Sequence, residues 1–145
     1  YLQTDYPRAS EPYKYDSTQQ GRFKIRASDV SDPSTNSDYI LTHFSLEMPQ
    51  TKNEIYMEGD LTDRLLSGGA RMIWNPLSGR YEQSLLLKQG SYNYRYVCKT
   101  PQGIDNSIDG DKFETVNEYT VRVYHHSFSD RYDRLVGTAH IRSGI

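Results

Sequence analysis

The sequence predicts an all-β fold, an antiparallel β-sandwich of about seven or eight strands. Three observations carry this expectation. Short runs rich in Ile, Val, Tyr and Phe alternate with clusters of Gly, Pro, Asn, Asp and Ser, the spacing of strands and turns. No stretch combines a 3.6-residue apolar period with helix caps. "QGSYNYRYVCK" (89–99) places Tyr92, Tyr94 and Tyr96 at strict alternation, the period of a strand with one buried face.

The elements follow in chain order. Residues 1–22, "YLQTDYPRASEPYKYDSTQQGR", carry Pro7, Pro12 and Gly21 without an apolar period and read as an extended segment. "FKIRA" (23–27) is a short strand, and "SDVSDPSTNSD" (28–38) is loop chemistry throughout. "YILTHFSLEM" (39–48) sets Ile40, Phe44, Leu46 and Met48 on one parity, with Thr42. "EIYMEGD" (54–60) is the next strand. "ARMIWN" (70–75) and "GRYEQSLLLK" (79–88) flank "NPLSG", a hairpin loop whose Gly79 suits a positive φ. "LLLKQGSYNYRYV" reads as a second hairpin turning at Lys88-Gln89-Gly90. "NEYTVRVYHHS" (117–127) and "DRLVGTAHIRS" (133–143) complete the strands. Residues 1–35 are expected to be an extended segment or linker from a preceding domain, and 36–145 the sandwich.

On 91–98 the tyrosine parity also holds Cys98, while Asn93, Arg95 and Val97 share the other. A half-buried strand needs one apolar face, so the tyrosines are expected inside and Arg95 outside, with the phenol hydroxyls reaching the rim of the sandwich.

Aromatics make up 12% of the chain, with 13 tyrosines, against a mean hydropathy of −0.82. Tyrosine buries area while counting as polar, so the low hydropathy leaves room for a core. A formal charge of −2 gives no electrostatic case for nucleic acid. No window approaches the roughly 18 apolar residues of a membrane span, so no membrane insertion is expected. Cys98 is the only cysteine, which excludes an intramolecular disulfide and favours a small buried hydrophobe.

Catalytic, cofactor and metal signatures are not expected. "DNSIDGDKFETV" (105–116) puts Asp105, Ser107 and Asp109 at positions 1, 3 and 5 of a calcium-type loop with Gly110 at 6, but Val116 stands where a bidentate Glu belongs. His125 and His126 are adjacent and face opposite sides of a strand, and His43 and His140 are scattered. There is no phosphate-binding glycine loop. The candidate protein-contact residues are Arg131, Tyr132, Asp133 and Arg134, because Arg and Tyr make efficient interface anchors.

Residues 54–98 resemble the early-set immunoglobulin-like module that also serves as a glycogen-binding domain, in the run "EIYMEGDLTD", a loop, then "MIWNPLSGRYEQSLLLKQGSYNYRYV". In sugar-binding members of that family a tryptophan follows the "GDFT-D/N" turn and stacks on the sugar. Here that place holds Arg64, which argues against carbohydrate as the partner. Tyr56 and Trp74 remain as the alternative carbohydrate platform. A resemblance over almost the whole chain is to the C-terminal region of the Bacteroidetes type IX secretion plug proteins, through "YKYDSTQQGRFKIRA", "DYILTHFSL", "YEQSLLLKQGSYNYRYV" and "DGDKFETVNEYTVRVYHHSFSDRYDRLVG". The matching motif residues are Phe113, Glu114, Thr115, Asn117, Glu118 and Tyr119, then Arg131, Tyr132, Asp133, Arg134 and Leu135. This resemblance implies an immunoglobulin-like sandwich in a periplasmic, non-enzymatic protein associated with the outer membrane. Its implied partner is the outer-membrane translocon protein whose periplasmic mouth it occludes. A signal peptide is expected to lie outside the chain given, which starts at Tyr1 without Met.

Overall fold

Alternating apolar side chains drive the strands of this protein to pair and to bury one face each, and the computed structural model shows how. It describes residues 1–14, 21–27 and 31–143. The parts of the expected extended segment at 15–20, of the expected loop at 28–30, and of the expected sandwich at 144–145 lie outside the described residues. The strands are β1 (Phe23–Ile25), β2 (Tyr39–Leu46), β3 (Glu54–Gly59), β4 (Ile73–Asn75), β5 (Arg80–Lys88), β6 (Gly90–Tyr92), β7 (Tyr94–Thr100), β8 (Gly103–Asp105), β9 (Asn117–His125) and β10 (Arg134–Ser143). One helical turn, α1 (Pro33–Asn36), falls in the expected loop. Asp32 caps it, accepting from Ser34 N at 3.0 Å, and Pro33 supplies a preset φ at its first position. No helix among the described residues is long and apolar enough to cross a membrane.

The fold is an all-β antiparallel sandwich. Two compact units divide the chain: Tyr1–Pro12 with Asp16–Asp111, and Tyr13–Tyr15 with Lys112–Ile145. In the first unit, one sheet has the order β2-β5-β4 and the other β3-β7-β8, while β1 pairs with β6 alone. The core lies between the two larger sheets. Phe44 and Leu46 of β2 and Tyr81 of β5 meet Ile55 and Met57 of β3 and Tyr96 and Cys98 of β7, with Met72 and Ile108 closing the ends. The sequence-expected hairpin loop forms between β4 and β5, where Gly79 takes φ +66° and donates its N–H to the Asn75 carbonyl.

The expected second hairpin at Lys88-Gln89-Gly90 does not form. Among the described residues, β5 pairs only with β2 and β4, and β7 only with β3 and β8. Between them the chain crosses from one sheet to the other, and β6 pairs with β1 instead. Two features hold this crossing. Tyr92 donates its hydroxyl to the Lys88 carbonyl at 2.7 Å and stacks on Phe23 at 5.6 Å. Gly90 lies so close to β1 that an added Cβ would sit 2.5 Å from the Lys24 carbonyl, which no larger residue tolerates.

The tyrosine parity holds inside. Tyr96 is 1% exposed, Tyr94 is half-buried, and Arg95 is exposed, pairing with Glu58 directly across the ladder at 2.5 Å. The opposite parity is not wholly solvated, however. Val97 is fully buried, with Tyr56 and Ala70, beneath the chain that folds over the outer face of β3-β7-β8. Sequence alternation alone assigned Val97 to the polar face, and a non-local loop reversed it. Cys98 is buried, and burial, then Asp105, raises its thiol pKa.

The expected rim position of the hydroxyls is where the N-terminal segment docks. Asp5 forms a parallel bridge with Leu46, and Leu2 N, Asp5 N and Glu47 N tie residues 1–5 to the β2 edge. Asp5 Oδ2 accepts from both Tyr94 and Tyr96 hydroxyls at 2.7 Å. Further along, Arg8 and Ala9 donate N–H groups to the Ile108 carbonyl, and Arg8 Nε meets Asp109 Oδ1 at 3.0 Å. Asp109 also accepts from Tyr96 N at 2.8 Å, so the loop that resembled a calcium site anchors backbone instead.

Burial, then the hydrogen bond to Asp5, pushes both phenols far above the ordinary tyrosine value. A group whose folded pKa is raised contributes its full stability below the unfolded pKa, and that stability is lost as pH climbs toward the folded value. Stability is therefore expected to hold to about pH 10, the ordinary tyrosine value, and to fall steadily above it. Chemical denaturation between pH 8 and 11.5 checks this, and Tyr96→Phe is expected to flatten the alkaline limb. An unchanged limb in that variant would remove Tyr96 from the account.

In the second unit, β9 and β10 form a two-stranded antiparallel sheet of their own, whereas the sequence had set them among the sandwich strands. Every residue of β9 is exposed. The ladder's register shifts on β10 between Leu135 and Gly137, which leaves Val136 as the extra residue of a bulge.

Candidate functional site

The predicted contact residues lie at the turn of the β9–β10 hairpin, and the turn is built around one carboxylate. Asp130 Oδ2 accepts from Ser127 N at 3.0 Å and from Arg134 Nε at 3.3 Å, while Asp130 N returns to the Ser127 carbonyl at 2.9 Å. His126 Nδ1 meets Asp133 Oδ1 at 2.9 Å, and Arg134 reaches His125 Nδ1 at 3.4 Å. Asp130 is only partly exposed, so its interactions brace the backbone rather than decorate it.

The four predicted residues therefore divide. Asp133 and Arg134 are engaged within the hairpin, whereas among the described residues no hydrogen bond or ion pair holds the side chains of Arg131 and Tyr132. Tyr132 is 69% exposed. Sequence reasoning passed over Phe128, whose ring is fully exposed on the same turn. A large aromatic between two serines in a loop was the available signal, since a loop phenylalanine has no strand parity to bury it. The braced turn thus presents Phe128, Arg131 and Tyr132, side-chain types that anchor interfaces when desolvated.

The alternative platform residues are not brought together. Tyr56 is 5% exposed, buried on the outer side of β3 with Ala70 and Val97, its hydroxyl donating to Glu54 Oε2 at 2.8 Å. Trp74 packs against the inter-sheet core, edge-on to Tyr81 with centroids 5.1 Å apart. The two rings share no face. Arg64 stands on a turn in which Asp63 and Arg64 both take positive φ, 52° and 56°. For non-glycine residues such conformations cost about 1–3 kcal/mol each. Arg64 Nε meets Asp60 at 2.6 Å and its Nη2 donates to the Gly21 carbonyl at 2.9 Å, which fixes the side chain along the first unit.

Among the described residues, no group of three or more His, Cys, Asp or Glu side chains converges as a metal site would require. His43 stacks with Tyr1 and bonds Ser84 Oγ at 2.7 Å; His140 bonds Thr120. A cavity of about 270 Å³ opens between the sheets, lined by Leu2, Ile40, Phe44, Leu87, Tyr92 and Tyr94 among others. Its walls are mostly apolar.

No protein-family model matches the chain, and no curated protein matches it. The chain is similar to a solved structure, that of a hypothetical protein from Parabacteroides merdae ATCC 43184, with a TM-score of 0.88 and 39% sequence identity. The match covers 98% of this chain and 37% of that one. The chain therefore spans little more than a third of the length of the protein it resembles.

Proposed function

We propose that this chain is a non-enzymatic protein-contact module of the periplasm, resembling the plug that occludes the periplasmic mouth of the type IX secretion translocon. One observation carries the contact reading: the β9–β10 turn is braced through Asp130 yet leaves Phe128, Arg131 and Tyr132 exposed. A preorganised turn loses little entropy on binding, so exposed anchors there convert efficiently into affinity. The ordered motif resemblance supports the plug assignment, and the similar chain comes from a Bacteroidetes organism. The mechanism is steric. A folded body covers a pore mouth and leaves when a partner displaces it, with aromatic and arginine contacts setting its residence time.

The test pairs stability with co-purification. Arg131→Ala with Tyr132→Ala is expected to leave the melting temperature nearly unchanged, since exposed substitutions cost within about 0.5 kcal/mol. The same variant is expected to lose co-purification with the outer-membrane translocon. Retained co-purification with preserved stability, or a melting temperature lowered by many degrees, would each count against the assignment.

A further inference from the structure

Alternation sorts the β9–β10 ladder into two unlike faces. Tyr119 stands opposite Ile141, Val121 opposite Ala139 and Val123 opposite Gly137, so these six share one face. Glu118 opposite Arg142, Thr120 opposite His140 and Arg122 opposite Thr138 make the other. Over this stretch the first face carries no charge, and Glu118, Arg122 and Arg142 all lie on the second. A sheet patterned in this way is one layer of two, with its apolar side against a core and its polar side in water.

Among the described residues no second layer lies over the apolar face. Tyr119, Val121, Val123 and Ile141 are 52%, 45%, 52% and 54% exposed, and no residue of β9 or β10 belongs to a buried cluster. A lone two-stranded hairpin is at best marginally stable in water. The size of the face decides what kind of layer fits. The nine residues of β9, at roughly 3.4 Å each, and two strands at about 4.8 Å each make a face on the order of 300 Å². A standard interface between separate molecules buries roughly 800 Å² a side, so neither a second copy nor a free partner is held by this face alone. Within one polypeptide the contact forms at an effective concentration of the order of millimolar, so a far smaller face suffices. The similar solved chain has length to spare for such a layer, since the match covers 98% of this chain but 37% of that one.

We propose that the apolar face of the β9–β10 hairpin is covered by an apolar layer of the same polypeptide, formed by residues outside 1–145. Tyr119, Val121, Val123 and Ile141 enter that shared core, while Glu118, Arg122 and Arg142 stay in water on the far side. The hairpin is then an intramolecular fastening, and burial of its body holds the turn at its tip steady. The inference concerns the body of the hairpin rather than its turn, and it does not rest on the contact reading.

The test uses the protein expressed at its full natural length. Val121→Cys and Thr120→Cys, made separately, put a thiol on either face of one strand, and Cys98 is buried. Under native conditions the Val121→Cys protein is expected to react with iodoacetamide at least about tenfold more slowly than the Thr120→Cys protein. That protection is expected to survive about a hundredfold dilution, because a contact within one molecule does not depend on concentration. With Tyr119 replaced by photoreactive benzoylphenylalanine, cross-links are expected within one molecule to residues outside 1–145. The proposal is overturned by equal labelling of the two thiols or by protection lost on dilution, as a second copy gives. It is equally overturned by cross-links that reach only residues 1–145, a second copy or another protein. Loss of co-purification in the Arg131 and Tyr132 variant leaves the contact reading standing whichever way this test falls.

Discussion

Tyr96→Ala is expected to destabilise the first unit by about 3–5 kcal/mol, the cost of deleting a fully buried aromatic and leaving a cavity. Tyr96 is 1% exposed, stands edge-on to Tyr94 with centroids 5.7 Å apart, and packs with Met57, its direct ladder partner, in the inter-sheet core. The substitution also removes a donor to Asp5. Arg95→Ala, one residue away, breaks only an exposed pair with Glu58 and is expected to cost under about 1 kcal/mol. For a unit of this size each kcal/mol moves the melting temperature by roughly 4–8 °C. Thermal unfolding followed by circular dichroism should therefore separate the two variants by well over ten degrees. Equal losses would mean that β7 presents a different face to the core.

Asp5→Ala is expected to be nearly as damaging, although Asp5 lies in a segment without any regular strand of its own. The carboxylate is the acceptor for the buried phenol of Tyr96 and the half-buried one of Tyr94. An orphaned buried hydroxyl costs about 1–3 kcal/mol, so the variant is expected to lose about 2–5 kcal/mol and to loosen residues 1–5 from β2. Adding Tyr96→Phe to Asp5→Ala is expected to restore part of the loss, because it removes one of the two unpaired hydroxyls. Denaturant titration of the four proteins of this cycle gives the coupling directly. Strict additivity would show that Asp5 and Tyr96 do not share an energetic link.

Much of the fold was legible because burial follows local alternation. Phe44 and Leu46, and Tyr94 and Tyr96, sit where parity put them, and the Asn75–Gly79 loop closes as its residues require. The misreadings share a different cause: partners distant in sequence. The 88–90 turn has ordinary hairpin residues, yet Gly90 is claimed by Lys24 of β1, and the chain crosses between sheets instead. Val97 alternates as a surface residue but is covered by the chain around Ala70. The destination of the tyrosine hydroxyls could not be read because Asp5 lies in a stretch with no periodicity. At the hairpin turn, residue type identified Arg131 and Tyr132, whereas only geometry separates them from Arg134, which braces the turn with Asp130. Phe128 was overlooked because its neighbours, rather than its own chemistry, set the reading.

The Asp5 clasp also dictates an order of events. Its carboxylate is separated from Tyr94 and Tyr96 by 89 and 91 positions. A ribosome making the chain releases the clasp's first half long before its second, so the Asp5 carboxylate waits without its phenol donors until β7 emerges. Closure of so large a loop precedes any reward from the contact, which places this step late and makes folding slow for the chain's length. The clasp is thus a latch that shuts only once β7 has joined the sandwich, and a chain stalled or cut before Tyr94 holds the Asp5 carboxylate without either phenol.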